Sequence, residues 1–356
     1  MTKYKKTLAA SFVSAIAIAG LTAPPAQASS DLTYNAPGTV DLLTSQKITG
    51  NLTVGNQLSG RTIYLERREG QHWERIFTGT TGSNGYYQFP IPSGFYYEGI
   101  LRTHVTSAGS GNPRAFSGQQ PITVDAGDRY GDKSEWDSIY TDGARRQLDP
   151  AKTIRYRINL ANAPINSTVA DTQQAFQMLF EASGVKSSYK GTTSADPRNV
   201  NTWPSGTDVV VGWKDLPCGD SGFTGCLDLH QATPTVNEFG DARTRVDKAG
   251  LELATGAYFN FNDNGTRHWD PGFQSDYPSY DQSDGGKSLG GTLIHELGHL
   301  AGLEHVPATG AGGESQAMTS GEGNKIQRYN DGDLEGMYRL GRIAGNLTPT
   351  GSSKNY

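Results

Sequence analysis

Sulfur and long apolar runs are what this chain of 356 residues has least of. Cysteine occurs only as Cys218 and Cys226, close together in sequence. After residue 28 no segment is apolar enough to span a bilayer. The one apolar run, Leu8 to Leu21, is short for a span and interrupted by Ser11 and Ser14. Lys3, Lys5 and Lys6 precede it, and Pro24, Pro25 and a small-x-small Ala26-Gln27-Ala28 follow. This pattern predicts a signal peptide cut after Ala28 rather than an anchor, and an exported, soluble remainder. Basic residues are also few: 31 in all, three of them in the first 28 positions, against 36 acidic ones, so the remainder carries a formal charge of −8. That balance disfavours nucleic acid and anionic membranes as partners. In an oxidising destination the two cysteines predict one local disulfide. The competing role, a Cys218 thiolate in Pro217-Cys218-Gly219 capping a metal as a latency switch, is disfavoured by a second thiol in the same loop.

What is present divides the chain in two. Residues 29–126 read as short strands separated by turns, with Ile63 and Leu65 alternating and Asn84-Gly85 as a hairpin signal before Tyr86-Tyr87-Gln88-Phe89. A small all-β sandwich is expected there. The G-x-Y-x-F run Gly85 to Phe89, after a strand carrying Trp73 and Ile76, resembles the ending of bacterial immunoglobulin-like or prealbumin-like modules. Residues 127–150, rich in Asp, Gly and Arg without apolar periodicity, are expected to be a linker. A second domain over 151–345 opens with a strand at Ile154 to Asn159, then a helix whose Thr168 and Asp171 have capping-box spacing. Strands at 208–213 and 256–261 follow around the cysteine loop, and then a second helix. Residues 346–356 are expected to be a flexible tail. The overall fold class is therefore α+β.

The stretch from Gly291 to His305 is the most informative in the chain. On an α-helix His295 and His299, four apart, lie on one face and can direct two imidazole nitrogens at one ion. Leu293, Leu297 and Leu300 fall on the other side, where they can bury the helix, and Ser288 is the expected N-cap. A third ligand on the same helix would be too far along its axis, so the chain must turn back. Gly302 supplies the backbone freedom for that exit, and His305 returns to the ion. Three neutral imidazoles leave a coordination position for water, the arrangement of a catalytic rather than a structural zinc. Glu296 can reach that water and serve as the general base for attack on a peptide carbonyl.

These residues resemble the metzincin metallopeptidases, whose signature H-E-x-x-H-x-x-G-x-x-H is matched at every fixed position from His295 to His305. The resemblance implies a zincin domain with a mixed twisted sheet and two main helices, a secreted zinc endopeptidase activity on protein or peptide substrates, and one catalytic zinc per chain. It also implies a methionine in a tight turn beneath the ligands, for which Met318 in Ala317-Met318-Thr319-Ser320 is the candidate. Ser320 where other branches carry tyrosine, and Asp333 to Gly341 in the place of a closing helix, lean towards matrixin-like bacterial proteases. Val306 and the long interval from Pro307 to Gly313 depart from that branch.

The branch often holds structural calcium, which makes Ca2+ a second candidate ion. Asp263, Asp270, Asp276, Asp281 and Asp284 are its candidate ligands, against a plain solvated acidic loop. His230 and His268 lack partners at a diagnostic spacing and are assigned to packing or surface roles. Two further functions compete with proteolysis: an adhesion protein whose sandwich binds protein or glycan, and a zinc amidase acting on peptidoglycan cross-bridges. The sandwich is a binding module or a pro-domain on this reading.

Overall fold

The computed structural model describes residues 31–127, 129, 131–163, 168–219, 224–255, 259–261, 267–269, 289–307, 316–320 and 328–356. The expected signal peptide and its Ala28 cleavage site, Ser288, and the acidic residues Asp263, Asp270, Asp276, Asp281 and Asp284 lie outside the described residues. The chain is of mixed α and β type, rich in sheet.

The first region builds two sheets. The larger contains β1 (Thr39–Asp41), β3 (Thr62–Glu69), β4 (His72–Thr80), β6 (Tyr97–Val105), β7 (Ala115–Phe116) and β8 (Gln120–Asp125), in the order β1-β8-β6-β3-β4 with β7 on β6. The smaller pairs β2 (Lys47–Asn51) with β5 (Tyr86–Pro90). Ile63 and Leu65 point into the core, as their alternation predicted. The Asn84-Gly85 turn forms with both residues left-handed, at φ 60° and 78°, but β4 and β5, which it joins, pair in different sheets. The hairpin expectation is thereby corrected. Gly85 lies flat against the Leu52 backbone, where a Cβ would collide with the Leu52 carbonyl, and that contact steers the chain across to β2.

Among the described residues the second region builds a sheet of nine strands. β10 (Tyr140–Thr141) and β11 (Ala144–Gln147) form one end of it, β11 lying parallel to β16 (Ala242–Ala254), while β9 (Asp137–Ser138) pairs outside this sheet. β12 (Ile154–Ile158), β13 (Ser187–Thr192) and β14 (Val209–Lys214) complete a parallel set in the order β13-β12-β14-β16. β15 (Gly225–Val236) then adds antiparallel on the far side of β16. Helix α1 (Thr168–Ser183) buries Phe176 flat on Tyr156 of β12, ring centroids 3.7 Å apart. Thr168, read as a cap, is the first helical residue. Among the described residues β17 (Phe259–Phe261) and β18 (Arg267–Trp269) pair with each other and with no strand of the main sheet, so the strand expected at 256–261 stands apart from that sheet. Helix α2 (Leu289–Ala301), the two-residue β19 (Leu303–Glu304) paired with β9, and α3 (Asp331–Leu340) follow.

Two further expectations are corrected. Residues 127–150 are not a free linker, because their polar strands satisfy backbone groups against β16 and β19. The tail is docked: β20 (Thr348–Pro349) and β21 (Lys354–Asn355) both pair with β15. The sandwich is also fixed in place. Phe95 meets Phe180 edge-on, Tyr96 N–H donates to the Glu181 carbonyl, Arg342 pairs with Glu69, and Tyr338 donates to the Glu98 carbonyl. The apolar cores of the two regions form one continuous cluster. Among the described residues no helix is long and apolar enough to cross a membrane.

Candidate metal centre

Helix α2 is buried along almost its whole length, with Leu293, Ile294, Leu297 and Leu300 fully inside. Its ligand face therefore cannot rotate, and His295 and His299 keep the one-turn offset that their spacing predicted. The helix ends where Gly302 takes φ 103°, its N–H bonded to the His299 carbonyl and its own carbonyl receiving the Ile139 N–H. A Cβ there would collide with the Arg146 carbonyl, so both the dihedral and the close approach require glycine.

The turn returns His305 to the first two histidines. Its Nε2 lies 3.0 Å from His295 Nε2 and 3.1 Å from His299 Nε2. His295 Nδ1 faces the Ala317 carbonyl at 2.7 Å and His299 Nδ1 the Leu303 carbonyl at 2.8 Å. A carbonyl can only accept, so each Nδ1 carries the proton and each Nε2 presents its lone pair inward. His295 and His299 thus aim two lone pairs at the place where the His305 Nε2 also arrives, and three imidazole nitrogens this close together form a metal-ligating set. The donor set thus fits a metal ion, and these are the residues that would hold it. Burial grades from His295, buried, through His299 to an exposed His305, so the centre opens to solvent on one side. Burial pushes His299 down to about 4, with the Leu303 carbonyl opposing and His305 assisting, which keeps the imidazole in its ligating form.

Glu296 follows His295 and is buried. Burial pushes its carboxyl up to about 8, the direction that suits a base working near neutral pH. Gly225, the first residue of β15, lies on it: a Cβ there would sit 2.6 Å from Thr292 Cγ2 and 2.7 Å from Glu296 Oε1. The start of β15 is pinned by the Cys218–Cys226 disulfide, Cα atoms 6.0 Å apart, as expected from sequence. The thiols being bonded to each other, Cys218 does not cap the histidines. Glu252 of β16, fully buried, binds Arg198 and the Cys218 N–H and fixes the same loop.

Met318 is buried beneath α2 at Gly298, where a Cβ would strike its sulfur. Val306 N–H donates to the Met318 carbonyl and Ser320 N–H to the Val306 carbonyl, so the turn and the His305 segment run side by side. Sequence reading missed what anchors this turn. The Asp333 carboxylate accepts the backbone N–H groups of Ala317 at 2.7 Å, Met318 at 3.2 Å and Asn330 at 3.0 Å, and so holds the carbonyl that orients His295. Gln316 caps the Gly332 and Asp333 N–H groups, and the Tyr329 hydroxyl donates to the Ile294 carbonyl. The signal was available: Asn330 and Asp333 have N-cap and N3 spacing at the start of α3. Glu304 Oε1 accepts the His305 N–H at 2.9 Å. His230 is a packing residue, its Nε2 on the Pro197 carbonyl and its ring edge-on to Trp203, while the His268 side chain lies outside the described residues.

Burial pushes Asp333 up to about 6, against the three N–H donors. Its unfolded value is near 3.9, so the folded chain keeps this proton to higher pH. The stability it contributes is full below about pH 4 and lost as pH rises through 6. Asp333→Asn should flatten stability against pH across that window, and should weaken metal binding about 10–100-fold by loosening the turn behind His295. Urea unfolding at several pH values and a competitive chelator titration read the two effects.

Compared with known proteins, the chain matches no family model and no curated protein.

Proposed function

We propose that this chain is an exported zinc endopeptidase of the metzincin type, nearest the matrixin-like bacterial branch. The observation that carries the reading is the convergence of three imidazole Nε2 atoms beside a buried glutamate, under the first residue of an antiparallel sheet-edge strand. Zinc is the metal proposed because three neutral imidazoles with one open side suit it. When bound, zinc would supply Lewis acidity towards a carbonyl oxygen and lower the pKa of water at the site.

The chain's own residues account for the remaining steps. Glu296 takes a proton from the attacking water and returns it to the departing amine nitrogen. The Ala317 and Leu303 carbonyls hold the proton on each Nδ1 and so keep the Nε2 lone pairs available. The outer edge of β15 next to Gly225 offers backbone groups to an extended peptide, which would bring its carbonyl over Glu296 by adding a strand. The sandwich is fixed to α1, α3 and the turn after α3, leaving His305 open to solvent, which supports a permanently attached module rather than a pro-domain laid over the cleft. The signal-peptide pattern before Ala28 supports export, and the disulfide is compatible with it.

The reading is tested by incubating the purified chain with casein and, separately, with purified cell wall. Chelator-sensitive fragmentation of casein is expected. Release of cross-bridge peptides from cell wall with casein left intact would move the activity to the amidase class.

A further inference from the structure

We propose that residues 352–356, docked as an added strand, fix the length of peptide that the site holds upstream of the scissile bond. The substrate class is then an extended chain with about five residues paired before the cleaved bond. This inference rests on the peptidase reading of the histidine centre.

β15 begins on Glu296 at Gly225 and runs away from it to Val236. Its inner edge is bonded to β16 throughout. On its outer edge β21 lies antiparallel, with Asn355 opposite Gln231 and Lys354 opposite Ala232, and Tyr356 N–H donates to the His230 carbonyl at 2.9 Å. The segment from 354 to 356 therefore advances along the edge towards Gly225. A peptide added antiparallel to the same edge follows the same line in the same direction, its amino-terminal side at the His230 end and its scissile bond near Glu296. β20 occupies the edge farther out, at Thr235 and Val236. Among the described residues no strand pairs with Gly225 to Leu229 on that edge. These five positions span about 16 Å at roughly 3.3 Å per residue.

The segment is held by its own contacts. Lys354 Nζ pairs with Asp142 Oδ2 at 2.6 Å, and the Tyr356 hydroxyl donates to the same oxygen at 2.8 Å. Ser353 Oγ lies 2.6 Å from Thr233 Oγ1 and 3.3 Å from Asp247 Oδ2. Gln231 donates to Asn355 Oδ1 at 3.3 Å. All of residues 350–356 are exposed, so no apolar burial ties them down. The dock is specific in register yet separable from the core.

Two variants test this. One lacks residues 352–356. The other is Asp142→Gly, which removes both Asp142 contacts at a position whose φ of 52° glycine adopts without strain. Each is compared with the intact chain on two fluorogenic peptides sharing one cleavage sequence, with four or ten residues upstream of the cleaved bond. The intact chain is expected to cleave both within about twofold of each other. Both variants should gain about tenfold in kcat/KM on the longer peptide, mostly through KM, equivalent to about 1.4 kcal/mol of added binding, with the shorter peptide unchanged. Variants that treat the two peptides as the intact chain does would overturn the inference, as would an intact chain already preferring the longer peptide tenfold. Hydrolysis of neither peptide by any form would instead overturn the peptidase reading, and this inference with it.

Discussion

Glu296→Gln should lower kcat for peptide hydrolysis by about 10²–10⁴-fold, the usual span for removing a general base, while metal content stays at the level of the unaltered chain. Glutamine keeps the shape of the side chain where Gly225 lies on it, so the strand above and the helix below need not move. The carbonyls behind His295 and His299 are untouched, and so is the inward direction of the Nε2 lone pairs. What is lost is proton transfer alone. A matched fall in kcat and in kcat/KM, with KM preserved, is the kinetic form this loss should take. Steady-state kinetics together with metal analysis of the same preparation checks both halves. A variant retaining full activity would remove Glu296 from the chemistry whatever the histidines bind.

His305→Ala should abolish activity and weaken zinc binding by more than the roughly 10–100-fold expected for losing an outer-sphere partner. His305 is the ligand that the helix cannot supply. It stands 3.0 Å and 3.1 Å from the other two Nε2 atoms only because Gly302 turns the chain back. Its exposure means that truncation leaves no cavity in the core, so a loss of metal would not be a loss of fold. A ligand bound only by the folded chain adds about 2.7 kcal/mol of stability at a concentration one hundred times its dissociation constant. Added zinc should therefore raise the melting temperature of the unaltered chain and leave that of His305→Ala where it was. Equal zinc-induced shifts in the two proteins would place the ion elsewhere.

The histidine centre was legible in sequence because all of its spacing lies within eleven residues of one helix and one turn. Local geometry decided it: a helical repeat for His295 and His299, a left-handed glycine for the exit, and His305 at the reach of that exit. The disulfide was legible for the same reason. The edge strand was not. β15 and β16 carry Asp228, Gln231, Pro234, Arg243, Arg245, Asp247 and Lys248, so the outward positions blur the alternation that marks a strand. Register shifts between Leu229 and Ala232 blur it further. The aromatic run at 256–261 is more strand-like by composition, yet its described part, Phe259 to Phe261, pairs outside the main sheet. Residues 127–150 and 346–356 were misjudged because their strands are two to four residues long and owe their order to partners distant in sequence. Asp333 escaped notice because its role depends on a turn 15 and 16 residues away, brought to it by the fold.

The proposed peptide hydrolysis requires one ion at the three histidines with Glu296 beside it. The direct measurement is a stoichiometric titration: strip the protein with chelator, add zinc in steps, and record peptide hydrolysis and bound metal together. Activity rising in proportion to bound zinc and levelling at one ion per chain is the predicted result. Hydrolysis that survives complete stripping, or an activity that stays absent with the centre filled, would contradict it.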